Sequence, residues 1–591
     1  MAYQEKANKV YEWLSRDPIE LVSREDFSRV DELPGVGTDS VESFADHALA
    51  VAERIDSFLR SSESANLLPD EVLDLEIAGG YLRSQHLERM TLVDDSPRHS
   101  IKPSALINLL SSTPIYMDRD PRGSPEIVGG FISRLMALPH YLDCEIRRLN
   151  HPVDVWTSLE IESGEGFGEF ARGVREFAKN SCNGGYGDIS KFESVVSSAA
   201  DAVKKYISLL KEMPKRQNLS IGPEATSQLL KYKGIMVSVD QIHQIANDHL
   251  VRTRDELEKI KLQIAEKNSL DPNLSLNDFG NALKDKYPGP SGDIIRYLTE
   301  ISQKATEFAY ESGLVERIKD KTIAEVRSTP AHLKPVIPIA AGYIPGLLGR
   351  GVRRSTFYAT EFPGIEKSLN QLNSPTIAAH ELFPGHGYQG SRAREHPSLI
   401  RGIVEAMDLL EGWTTRVAED HMSELGWVGN PDLALEERYM SKTDQLRLGA
   451  RVCFALTLLT GDRKYLNNSL GVMADDKNLL SAAKQLYKGI TGFSDQRVKA
   501  EVEFFSSMGI YPTLYLVGNH LFRKMEREAK LKQGKDFTIP KFYEAVLQEG
   551  NMPLYYMEEA LRRKGVLELE SNEVVASEPM LHNSGGVCVN G

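Results

Sequence analysis

The sequence predicts a large, mainly α-helical protein, and three observations carry that prediction. Apolar residues recur at helical spacing over long stretches. Phe44, Ala45, Leu49, Ala52, Ile55 and Phe58 do so within 41–59, and Leu399, Ile400, Ile403, Val404, Met407, Leu410, Trp413 and Val417 within 399–425. Helix-start chemistry is legible as well: Ser238-Val239-Asp240-Gln241 has the form of a capping box, opening a helix expected to reach about Lys267. Strand signals are sparse. The clearest are Val336–Ala341 and Ser355–Glu361, where β-branched or aromatic residues are bounded by glycine and proline.

In chain order, residues 1–210 read as an N-terminal helical region. It contains the 41–59 helix, a connection over 113–125 where three prolines fall, a glycine-rich loop at Gly164-Glu165-Gly166-Phe167-Gly168, a turn at Asn183-Gly184-Gly185 and a helix over Val195–Met213. Residues 211–570 read as a second region of the same compact fold. Ile221-Gly222-Pro223-Glu224 opens it, the 238–267 helix follows, Asp271–Ser291 is a loop with a short helix, and Phe308–Val326 returns to helix. The two strand candidates then flank a loop at Gly342–Gly351, which lacks the G-K-[ST] ending of a phosphate loop. The tail 571–591 contains Ser, Gly and Asn and is expected to be disordered.

Composition narrows the function. With 591 residues, 41% hydrophobic and 26% charged, the chain is long enough for a large core. A net charge of −14 argues against a general nucleic-acid or anionic-membrane surface. No stretch approaches the roughly 18 apolar residues of a membrane span, and the first residues lack the apolar core of a signal peptide. Cys144, Cys182, Cys453 and Cys588 are far apart with no C-x-x-C pairing. A cytoplasmic protein acting on a peptide or small molecule, without membrane or nucleic-acid partners, is expected.

The chemistry concentrates in 374–389. Ser374 and Pro375 suit a helix start, and Thr376–Phe383 can run helical, placing His380 and Glu381 side by side. Zinc-peptidase helices carry H-E-x-x-H, whereas His386 here follows His380 by six residues. The rings meet only if Pro384 and Gly385 absorb two residues in a bulge; otherwise this is a helix end with two unrelated histidines. Glu411, near the apolar stripe of the 399–425 helix, is the candidate third ligand, with Glu405 and Glu419 as alternative carboxylates. The alternative for Glu411 is a salt bridge within a helical bundle, a common arrangement.

These residues resemble a zincin-like, thermolysin-type family of unknown function with H-E-x-x-P-G-H-x-x-Q followed by E-G-W. His380, Glu381, Pro384, Gly385, His386 and Gln389 match the first motif, and Glu411, Gly412 and Trp413 the second. The resemblance implies a helical peptidase-like fold with a deep central cleft, a small β-hairpin beside it, and one Zn2+ per chain on His380, His386 and Glu411. Glu381 is then the base that activates metal-bound water. Arg353, Phe357 and Tyr358 match a strand motif beside the metal, so Arg353, Tyr358 and Tyr515 join Glu381 as catalytic candidates; Tyr358 serves equally as a packing aromatic.

The chain departs from that family where polar chemistry is expected. Ala455 and Leu459 stand at the Asp and His of D-T-G-x-H, and Phe504-Phe505 replaces R-Y. Gly509-Ile510-Tyr511-Pro512 replaces P-G-Q-A, and Phe542-Tyr543-Glu544 replaces F-H-D. Three functions follow as expectations. The first is a metal-dependent hydrolase of a peptide or amide. The second is a repurposed lyase, cyclase or isomerase acting on a small, aromatic molecule. The third is a binding protein that retains the fold.

Overall fold

The computed structural model describes residues 2–568 apart from 182–188, 291, 331–333, 335, 336 and 338. The mainly α expectation holds: 68% is helical, so the sheets are accessories to a helical frame. The Val239–Asn268 helix shows how the sequence builds that frame. The Ser238 side chain accepts from the Gln241 N–H, Gln241 reaches back to the Ser238 N–H, and the left-handed Ser269 closes the far end. Its apolar face, including Leu250 and Leu257, lies against Ala434–Thr460, whose last twelve residues are all buried. A Cβ on Gly449 would stand 2.7 Å from Leu250 Cγ, so glycine permits that close crossing.

Three large apolar cores organise the helices. One joins these two helices to Leu479–Thr491 and Tyr511–Gln533 through Phe454, Leu486 and Val517. A second lies within the N-terminal region and contains Leu109, Phe131, Phe170 and Tyr206. The third crosses the sequence division near 210: Trp13, Ile55 and Leu82 share it with Ile400, Trp413, Phe522 and Met557.

The main sheet has three strands. Arg353–Ala359 is central, parallel to Thr322–Ser328 and antiparallel to Ala340–Tyr343, with Gly342 opposite Phe357. Phe357, Ala359 and Val326 form its apolar face and pack with Leu298 and Leu382. This places the sheet beside the His380 helix.

Several local expectations are corrected. The 113–125 connection is mostly helix: Ala105–Arg119 runs through Pro114, because burying Leu109, Leu110 and Met117 outweighs the proline, and the next helix starts at Ser124. The glycine-rich loop shrinks to Gly166 between Asp154–Glu165 and Phe167–Ser181, since Gly164 faces Leu106 and Ile207 at close range inside a helix. Helix does not continue over Phe308–Val326. It stops at Glu311, Gly313 takes φ +69°, and Thr322–Ser328 forms a strand along its β-branched residues. The first strand candidate, Val336–Ala341, lies later than expected, at Ala340–Tyr343, and part of its span is outside the described residues. The Asn183 turn and the 571–591 tail are outside them too.

Candidate metal centre

The Ser374–Glu381 helix, with Pro375 in its first turn, ends directly after His380 and Glu381. The Phe383–Pro384 peptide is cis, and the next helix starts at His386. Across the junction the Gly385 N–H donates to the Ala379 carbonyl at 2.9 Å and the Tyr388 N–H to the Leu382 carbonyl at 3.2 Å. Both bonds span six residues where an α-helix spans four, so the two extra residues are absorbed locally. The His380 and His386 rings consequently meet edge to face, 4.8 Å between centroids. Gly385 is required here, because any Cβ would overlap the His380 carbonyl oxygen. The Trp413 indole N–H donates to the Pro384 carbonyl at 2.7 Å and fastens the E-G-W helix to the bulge.

The helix expected over 399–425 is interrupted. Leu399–Ile403 and Met407–Trp413 are separate, and Thr414–His421 is wound as a π-helix, a geometry frequent at functional sites. Glu411 lies on the last turn before that segment. Gly412 beside it meets Gly518, where a Cβ would stand 2.7 Å from the Gly518 carbonyl carbon. The tight crossing brings the Tyr511–Gln533 helix against Glu411. Tyr511 donates to Glu411 Oε1 at 2.5 Å, and the Tyr511 and Tyr515 hydroxyls are 2.7 Å apart. An ionised carboxylate only accepts, so the proton order runs Tyr515 to Tyr511 to Glu411.

One donor atom each from His380, His386 and Glu411 lies within 4.8 Å of the others. Glu411 Oε2 is 3.9 Å from His380 Nε2 and 3.6 Å from His386 Nε2. Tetrahedral zinc with bonds of about 2.1 Å places neighbouring donors about 3.4 Å apart, so the set fits with small adjustments. Two buried atoms of the set, Glu411 Oε2 and His386 Nδ1, have no hydrogen-bond partner. His380 Nδ1 is held by Glu419 Oε1 at 2.8 Å, which leaves Nε2 facing Glu411.

The electrostatics match a cation site. Burial opposes the His380 imidazolium, yet Glu419, Glu381 and Glu411 together push it up to about 9. Burial and the His380 charge hold His386 well below its ordinary value. Burial pushes Glu411 up to about 7 against the pull of His380 and the Tyr511 hydrogen bond. Glu381 is also raised by burial, while His380 and a backbone hydrogen bond from Gly342 favour its ionised form. Gly342 carries no side chain where one would overlap the Glu381 carboxylate.

The remaining candidates divide. Tyr515 joins the site through Tyr511. Arg353 is held in ion pairs with Asp320 at 2.9 Å and Glu395 at 2.7 Å. Tyr358 lies on the strand face opposite Phe357, edge-on to Tyr343 and near Asp118, so neither bonds to the ligand set. Glu405 pairs with Arg24 at 3.2 Å. Sequence reasoning missed the role of Glu419, whose only signal is a carboxylate on an apolar helix. It also missed Arg447, whose charge favours ionised Glu381 and Tyr515 and whose buried Nε lacks a hydrogen-bond partner, 3.5 Å from Asp444.

A family described as "Bacterial protein of unknown function (DUF885)" matches residues 29–561. The chain belongs to that DUF885 family. The expected zincin-like, thermolysin-type membership is corrected accordingly: the matching family carries no such assignment, and neither do its solved relatives. No curated protein matches the chain. A putative lipoprotein from Colwellia psychrerythraea superposes with a TM-score of 0.76 at 16% identity, covering 95% of this chain and 99% of its own. A putative lipoprotein of unknown function from Shewanella oneidensis does so with a TM-score of 0.71 at 18% identity, covering 95% and 100%. At such identity the likeness shows the fold alone. The cytoplasmic expectation is withdrawn, because both neighbours are named as lipoproteins. No helix among the described residues is long and apolar enough to cross a membrane.

Proposed function

We propose that the chain is a metal-dependent hydrolase of peptide or amide bonds, with Zn2+ held by His380, His386 and Glu411. The observation that carries this reading is the convergence of three donors within 4.8 Å, with Glu411 Oε2 unpartnered among them. A cation there supplies Lewis acidity, polarising a carbonyl and acidifying water. Glu381 is the general base. It follows His380 directly, so it leaves the helix about 100° round from that ligand and flanks the set. Its burial makes it a stronger base than an exposed glutamate. It takes the proton of the attacking water, holds it on the carboxyl group and delivers it to the leaving amine. A C–O bond forms, the C–N bond breaks, and the amine leaves protonated. Glu419 orients His380, and Tyr511 with Tyr515 orients Glu411. Arg447 supplies positive charge toward the developing oxyanion.

A second reading rests on Ala455 and Leu459, which are 4% and 5% exposed and belong to an apolar core. In this reading the reaction is that of a lyase, cyclase or isomerase on a small, aromatic molecule, with Glu381 as the base without delivering water. Product analysis in 18O-labelled water separates the two: label in the product supports hydrolysis, and its absence supports the alternative.

The test of the metal assignment is metal content by mass spectrometry, wild type beside His380→Ala/His386→Ala, followed by a screen of amide substrates. About one zinc per chain, lost in the double variant, is expected. No metal in either protein after zinc is added back overturns both readings.

A further inference from the structure

A cavity of about 530 Å³ lies in the N-terminal region, where the Asp17 turn, the Thr38–Leu59 and Pro69–Met90 helices and the Arg98–Lys102 segment meet. None of its lining residues belongs to the His380, His386 and Glu411 set or hydrogen-bonds to it. Its charges are unevenly matched. Among the carboxylates on its wall, Glu20 and Glu405 are engaged by Arg24 and Glu88 by Lys233, while Asp17 accepts from the Ile19 and Glu20 N–H groups and feels the charge of Arg89. Arg148 is paired with Glu145. Arg89, Arg98 and Lys102 have no carboxylate partner among the described ion pairs. Arg89 donates to the Gln85 carbonyl at 3.0 Å and its side-chain oxygen at 2.7 Å. Arg98 donates to the Glu88 carbonyl at 3.4 Å and lies over the Trp156 ring at 5.3 Å. Lys102 donates to the Ser507 carbonyl at 2.8 Å.

A second, independent observation points to a ligand. Arg98 Nε, both ring nitrogens of His99 and the Tyr141 hydroxyl are buried without a hydrogen-bond partner. These residues are 8%, 6% and 4% exposed. His99 Nε2 lies 3.4 Å from Glu42, whose charge favours the imidazolium against the effect of burial. Buried donors are rarely left unmade, because folding gains nothing from stripping them of water. Burial together with the charges of Arg98, Arg89 and Arg148, opposed by that of Glu88, also pushes the Lys102 ammonium down to about 7. A hydrophobic wall would serve stability better than these groups do.

We propose that this cavity binds a small, multiply charged organic anion bearing phosphate or carboxylate groups. Arg98 and Arg89 present planar forks that match either oxyanion, Lys102 adds a point charge, and His99 and Tyr141 supply directional hydrogen bonds. The volume falls within the range of about 300–1,000 Å³ usual for small-molecule pockets, well beyond what a lone ion fills.

The test is calorimetric titration of the full chain with inorganic phosphate and, separately, with succinate. One saturable site per chain with Kd below about 1 mM is expected, weakened at least tenfold in Arg98→Gln and in Lys102→Met. Arg89→Gln replaces either variant if it fails to fold. His380→Ala/His386→Ala should bind as the wild type does, which separates this cavity from the metal centre. Tighter binding of phosphate identifies a phosphorylated ligand, and tighter binding of succinate a polycarboxylate. The proposal is overturned if neither anion binds at tenfold higher concentration, or if folded variants bind like the wild type. As a readout independent of substitution, the better anion should slow amide exchange over 85–102; unchanged exchange there also overturns it.

Discussion

At the scale of single residues, the half-buried Glu381 and the buried Glu411 are two carboxylates on neighbouring helices with different surroundings. Glu411 receives the Tyr511 hydroxyl and faces both histidines, whereas Glu381 lies against the bare backbone of Gly342. The first arrangement holds a ligand and the second leaves a base free. Glu381→Gln should therefore keep full metal content while turnover falls about 10²–10⁴-fold; turnover near wild type would refute its role. Tyr511→Phe removes only the hydrogen bond that aligns Glu411, and zinc affinity should fall about 10–100-fold in competition with a chelator. Affinity within twofold of wild type would show that Glu411 needs no such support. Arg447→Gln should leave affinity intact and lower kcat about 10²-fold, as expected for a donor to an oxyanion; a change in KM alone would assign it to substrate binding instead. His380, Glu381, His386 and Glu411 were legible in the sequence because each motif is local. Arg447 was not, and neither were the roles of Glu419 and Tyr511, because their approach depends on a π-wound segment and a glycine–glycine crossing that no local pattern announces.

Among the elements, the junction between the two histidine helices decides whether the site exists. The six-residue spacing is meaningless on a regular helix and becomes a ligand pair only through the bulge at Leu382–Gly385. That need was legible, since Pro384 forbids a regular helix and Gly385 tolerates an irregular one. The Trp413 bond to the Pro384 carbonyl was not. Gly385→Ala tests the junction: its methyl meets a backbone carbonyl that cannot yield without opening the bulge. A loss of about 3 kcal/mol in unfolding free energy is expected, with far-UV dichroism retained and zinc content reduced. Unchanged stability and zinc would mean that the junction adapts freely. The same contrast between local and tertiary signals explains the misread elements. Pro114 and Gly164 look like breakers in sequence, yet each sits in a helix whose neighbours are buried. The Thr322–Ser328 strand is visible only through its pairing with Arg353–Ala359.

Over the whole molecule, the N-terminal helices are part of the scaffold of the metal centre. Trp13, Ile55, Leu75 and Leu82 share one apolar core with Ile400, Leu409, Trp413 and Met557, and Trp413 is itself the clamp on the bulge. A buried ion pair reinforces this junction: Arg401 donates from Nε to Asp74 Oδ1 at 2.7 Å and from Nη1 to the Glu549 carbonyl, with the Arg401 and Asp74 side chains only 1% and 5% exposed. Breaking one side of such a pair strands a charge and costs about 3–5 kcal/mol, so the two parts are coupled by apolar burial and electrostatics together. The chain from residue 211 onward, made alone, would expose the face formed by Ile400, Ile403, Leu409 and Met557 and deprive Arg401 of Asp74. It should therefore lack a cooperative thermal transition, bind a hydrophobic dye and fail to retain zinc, while the full chain does none of these. A sharp transition with zinc retained in the fragment would show instead that the metal-binding half folds independently of the N-terminal helices.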